Sequence, residues 1–117
     1  MSYLRAAVIA LLGTSTATGQ GPSQLKCNIG PVTKTYGGSK WLVYSCDDNR
    51  SLIIVSAPGN PATPFYFTVR PGANGFDIHG EGTGDKKFTA AASKELTALK
   101  ESDIAGLISA ARKSTSK

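Results

Sequence analysis

Two apolar runs, Trp41-Leu42-Val43-Tyr44 and Leu52-Ile53-Ile54-Val55, flank the polar cluster Asp47-Asp48-Asn49-Arg50, and this arrangement leaves the chain few ways to fold. Aromatic and β-branched residues suit a pleated sheet, and turn formers between two such runs predict antiparallel strands joined by a tight turn. Cys46 ends the first strand. The only other cysteine, Cys27, lies upstream, where a bridge to Cys46 ties the N-terminal segment onto the hairpin. Two cysteines without neighbouring histidines point to one disulfide rather than a metal site. Closing a loop of this size stabilises a fold by about 3 kcal/mol in the chain-entropy model, a large share for a small domain.

Strands are expected at Trp41–Cys46, Leu52–Ser56, Phe65–Arg70 and Gly75–Glu81, each short and bounded by turn residues. The connections are too short to hold crossover helices, so the strands form an antiparallel meander of about four. In the third strand Phe65, Phe67 and Val69 face one way and Tyr66, Thr68 and Arg70 the other, the pattern of a half-buried strand. Leu52 to Val55 is apolar on both sides, which predicts a central strand covered on both faces. Trp41 and Tyr44 fall on opposite faces of their strand.

Past Glu81 the apolar period lengthens from two to about three and a half. Phe88, Ala91 or Ala92, Leu96 and Leu99, then Ile104, Leu107, Ile108 and Ala111, predict helices over Lys86–Lys100 and Asp103–Lys113, with Ser102 as N-cap of the second. The fold class is α+β, with both C-terminal helices packed on one face of the sheet. Residues 20–113 make one small domain, within which residues 20–38, rich in Gly, Pro, Ser and Thr, read as a loosely held arm with at most short extended pieces around Leu25 to Ile29 and Val32 to Tyr36. Residues 114–117 carry no apolar side chain and read as a disordered tail.

Residues 1–19 have the three-part layout of a secretory signal: Arg5 near the start, the apolar run Ala6 to Leu12, and a small polar stretch with Ala17 and Gly19 placed for cleavage before Gln20. The run is too short to span a bilayer as a helix, and Lys26 before Cys27 argues against a lipoprotein. The expected location is therefore exported, periplasmic or extracellular, with no stable membrane insertion after the leader is removed. The whole chain has net charge +5, and loss of the leader with Arg5 leaves +4. The basic residues are scattered without interleaved aromatics, which excludes a nucleic-acid groove as the reading of this charge.

Three stretches are candidates for function. Asp77, His79 and Glu81 alternate on one face of the last strand, where three potential metal ligands or an Asp-oriented His could share a volume; a plain solvent face of an edge strand gives the same pattern. Gly80 to Lys87 joins a strand to a helix but matches neither a Walker loop nor a dinucleotide loop, so its glycines read as a turn with close backbone approach. No G-x-S-x-G elbow accompanies the serines, and Ser23-Gln24-Leu25-Lys26 matches S-x-x-K without its companion motifs. Asn49-Arg50-Ser51 is a glycosylation sequon, meaningful only in a eukaryotic secretory route.

The loop from Ala57 to Pro64 places Pro58, Asn60, Pro61 and Pro64 directly before Tyr66, and a stiff exposed loop loses little entropy on binding. The expectation is a non-enzymatic binding or accessory protein, acting on an unknown protein or cell-envelope ligand through this loop and the polar sheet face, with no cofactor. Two alternatives stand beside it: a small metal-dependent or hydrolytic enzyme centred on Asp77, His79 and Glu81, and an inhibitor that inserts the loop into another protein's cleft.

Overall fold

The computed structural model describes residues 25–115. The expected leader over residues 1–19, and residues 116–117 of the expected tail, lie outside them. Five strands, β1 (Ile29–Tyr36), β2 (Ser39–Ser45), β3 (Leu52–Ser56), β4 (Phe65–Gly72) and β5 (Gly75–Gly82), precede two helices, α1 (Lys86–Thr97) and α2 (Glu101–Thr115). The strands lie side by side in chain order, and every neighbouring pair is antiparallel. Short turns permit no other neighbour.

The hairpin at the centre of the sequence is present. Val43 pairs with Ile54 and Ser45 with Leu52. Asn49 takes a positive φ of 60° in the turn, and the Asp48 carboxylate accepts the N–H groups of Arg50 and Ser51 at 2.9 Å and the Ser51 hydroxyl at 2.7 Å. The carboxylate thus fastens the turn as Asx residues do. Cys27 and Cys46 are bonded, and beside them Asp47 N–H donates to the Lys26 carbonyl at 2.9 Å.

Residues 20–38 are not simply an arm: Ile29–Tyr36 is a full edge strand, making five strands rather than about four. Gly37 and Gly38, both at positive φ, close it onto β2 in a two-residue turn, the geometry that matches the twist of a hairpin. At the other end of the chain α2 runs on through Ser114 and Thr115 instead of stopping at Lys113. The Ser114 hydroxyl donates to the Pro31 carbonyl at 2.8 Å, and the Thr115 hydroxyl accepts the Gly30 N–H. Those two bonds to β1 give the last turn a reason to persist without apolar side chains.

The helices meet their expectations apart from their ends. Asp85 caps α1 by accepting the Lys87 N–H. Ser102 lies inside α2 rather than at its cap; the chain enters that helix at Lys100, whose N–H donates to Asp103 Oδ2 at 2.8 Å, one half of a capping box. Both helices pack on one sheet face. Ala92, Leu96, Ile104 and Leu107 meet Trp41, Val43, Leu52, Ile54, Phe67 and Val69 in a single core. Trp41 is fully buried, lies against the rings of Phe65 and Phe67, and donates its indole N–H to the Tyr36 carbonyl at 3.1 Å. The polar handle of the largest core side chain is therefore satisfied.

Candidate functional site

Strand alternation sends every second residue to the face opposite the helices. The register aligns them in rows across the sheet: Thr33, Leu42, Val55, Tyr66 and Glu81 form one row, and Tyr44, Ile53, Thr68 and His79 form the next. No described helix covers this face. Leu42, Tyr44, Ile53 and Val55 are half-buried on it, whereas their alternates Val43, Leu52 and Ile54 are fully buried on the helix side. β3 is central as expected, but among the described residues it is covered on one face only. An aliphatic stripe thus runs up the middle of an open sheet.

At one end of the stripe Val55, Thr63, Pro64, Tyr66, Glu81 and Gly82 line an open, mainly apolar groove of about 450 Å³. Tyr66 is the single large hydrophobic side chain exposed among the described residues, at 39 %. Its hydroxyl donates to Glu81 Oε1 at 3.2 Å, which fixes the ring at the groove edge and raises the phenol's pKa, first through that bond and then through the carboxylate charge.

The proline loop forms the groove's rim, and it is fastened from within. Asn60, expected as a contact residue, is only 7 % exposed. Its Nδ2 donates to the Lys40 carbonyl at 2.6 Å and its Oδ1 accepts the Ala62 N–H at 2.8 Å, so it holds the loop and presents little to a partner. Thr63 N–H returns to the Asn60 carbonyl, and Asp85 N–H to that of Pro61. Pro58, Pro61 and Pro64 remain exposed. The glycine-rich turn after β5 is the other wall of this clamp. A Cβ on Gly84 would lie 1.6 Å from the Ala62 carbonyl oxygen, the close approach that its sequence implied, and the Asp85 carboxylate already occupies the start of α1.

At the other end Leu25, Asp48, Ser51, Thr68, Arg70, Pro71, Asp77 and His79 surround a shallow depression of about 650 Å³, lined by polar and apolar surface alike. Asp77, His79 and Glu81 do share the exposed face of β5, each opposite a different β4 residue: Arg70, Thr68 and Tyr66 in turn. Among the described residues no group of three His, Cys, Asp or Glu side chains is placed to hold a metal. Asp48 is committed to its turn. Burial opposes ionisation there, but the N–H groups of Arg50 and Ser51 and the Ser51 hydroxyl outweigh it and hold the carboxyl below its ordinary value. Ser51 is 1 % exposed and donates to that carboxylate, so the one serine among the described residues that lines the depression with His79 has no accessible oxygen.

Trp41 and Tyr44 divide between core and open face as their alternation implies, with Trp41 the core member, but Leu42, Ile53 and Val55 were not legible as surface residues. Alternation in Leu52 to Val55 carried the information, but a run apolar at every position does not announce which face is open. Leu25 is brought to this face by the bridge at Cys27 and the Lys26–Asp47 contacts. No helix among the described residues is long and apolar enough to cross a membrane. No protein-family model matches the chain, and no curated protein or solved structure is similar enough to count as a relative.

Proposed function

We propose that this chain is an exported, non-enzymatic binding protein whose contact surface is the open sheet face, centred on the groove between Pro64 and Tyr66. The observation that carries the reading is the uneven cover of the sheet. Both helices lie on one side, while the other keeps an aliphatic stripe ending in an exposed, hydrogen-bonded tyrosine and a fastened proline rim. A rigid aromatic beside a loop that is already ordered loses little entropy when a partner arrives, and aromatic anchors of this kind dominate interface energetics. Export is supported by the leader-like residues 1–19 and by the Cys27–Cys46 bond, which persists in oxidising compartments.

The test is capture from the culture medium or envelope fraction of the source organism on immobilised residues 20–117. Wild-type protein and Tyr66→Ala are compared after both are shown to unfold cooperatively. Bound material that disappears with Tyr66→Ala supports the groove. Material retained equally by both places the contact elsewhere.

A further inference from the structure

β5 is the edge of the sheet, and no described strand pairs with its outer side. Alternate residues of an antiparallel strand turn both N–H and C=O away from their neighbour. β5 keeps unbroken register with β4 over eight residues, so its outer side is a regular row of backbone groups that no described strand pairs. The opposite edge differs. On β1 the register shifts between Ile29 and Val32, Pro31 has no N–H, and the end of α2 bonds Gly30 and Pro31. The β1 edge is thus blocked at its start, whereas no described residue blocks the β5 edge.

Two features give the open edge a chemical preference. Phe76 and Ile78, on the helix-side face of β5, are only half-buried, because the helices lie mainly over β1 and β2; a further strand would complete their cover. Gly80 continues that face without a side chain, because the Phe65 ring already fills the space over it: a Cβ there would lie 2.8 Å from that ring. On the other face Asp77, His79 and Glu81 are exposed. A second copy of β5 paired antiparallel about His79 would set Asp77 against the other copy's Glu81, and like charges directly opposite each other are destabilising. Self-pairing is disfavoured by the same residues that favour a basic partner.

We propose that β5 is a strand-addition site for an extended peptide segment with alternating side chains, basic ones beside Asp77 and Glu81 and apolar ones beside Phe76 and Ile78. Main-chain hydrogen bonds supply the affinity and the alternating side chains the specificity. The edge meets the Tyr66 groove at Glu81 and Gly82, but strand addition is read by backbone N-methylation and the groove by Tyr66→Ala, so either can fail without the other.

The test follows amide hydrogen exchange of the full chain by NMR with three synthetic peptides: one alternating lysine and valine, a second with glutamate for lysine, and a third N-methylated at alternate backbone nitrogens. At a lysine-peptide concentration about ten times its Kd, exchange of the outward amides of Gly75 to Gly82 slows by about tenfold. The glutamate and N-methylated peptides leave it unchanged, and the lysine peptide still protects Tyr66→Ala, which frees the Glu81 carboxylate without removing it. A variant carrying Asp77→Lys and Glu81→Lys prefers the glutamate peptide. Unchanged exchange with the lysine peptide, equal effects of the first two peptides, or protection that survives N-methylation overturns the proposal. So does protection already present in the free chain and released by deleting the residues before Leu25, which would make that segment the occupant.

Discussion

Tyr66 and Glu81 stand directly opposite each other on β4 and β5, with the phenol donating to the carboxylate across the strands. Ionising the phenol would break the bond and set two negative charges side by side, so Tyr66 keeps its proton to higher pH than an ordinary tyrosine. A group with a raised folded pKa contributes stability below its unfolded value, about 10, and loses it as pH rises through the folded one. In an NMR titration of the Tyr66 ring, Glu81→Gln lowers the midpoint toward the ordinary value. An unchanged midpoint means that the pair does not set the ring's chemistry.

Asn60→Ala removes the acceptor of the Ala62 N–H, which sits beside a fully buried side chain, while the Lys40 carbonyl keeps its bond from Ala57 N–H. One buried donor left unpaired costs about 1–3 kcal/mol. The expected loss appears as a lower urea midpoint at unchanged slope, with exchange first accelerated in residues 57–64 and 83–85. A loss below the error of the measurement would mean that the loop holds itself without this amide.

Asp48 works in the opposite pH range from Tyr66. Its folded pKa is lowered, so its contribution is present above the unfolded value near 4 and is lost as pH falls through the folded one. Wild-type stability therefore declines in acid, and part of that decline is missing in Asp48→Ala, which starts about 1 kcal/mol lower at neutral pH for want of its turn bonds. Parallel stability curves for the two proteins from neutral pH into acid would contradict this assignment.

Gly37 and Gly38 separate two reasons for glycine. Both have positive φ, but a Cβ on Gly37 would lie 2.6 Å from the Ala92 backbone nitrogen, whereas one on Gly38 meets nothing within 4 Å. Gly38→Ala costs the conformational penalty alone, about 1–2 kcal/mol. Gly37→Ala adds displacement of α1, about 1–3 kcal/mol more by analogy with overpacking. Equal melting temperatures for the two variants would show that α1 yields freely.

The contrast between β1 and the other strands shows what the sequence could carry. β2 to β5 were legible because each holds either an apolar run or a strict alternation between turn formers. In β1 the helix-side positions are Val32, Lys34 and Tyr36, and exposed Lys34 breaks the alternation; at the sheet edge its chain can reach water from a core-facing site. The extension of α2 to Thr115 depends on bonds to residues 83 and 85 positions away, which no local pattern encodes. At the site, Tyr66 on the wet face and Asp77, His79 and Glu81 in line were readable from period two. The inward turn of Asn60 was not, because its partner carbonyl belongs to Lys40 on another element.

The proposed contact lies at the Tyr66 end of the open face rather than at the His79 end. The most direct measurement is the affinity of one captured partner for wild-type protein, Tyr66→Ala and His79→Ala, side by side. Tyr66→Ala should weaken binding by about tenfold or more, as loss of an aromatic anchor does, and His79→Ala should leave it within about twofold. Loss of binding with His79→Ala while Tyr66→Ala binds normally would contradict the account and move the site to the Arg70, Asp77 and His79 end of the sheet.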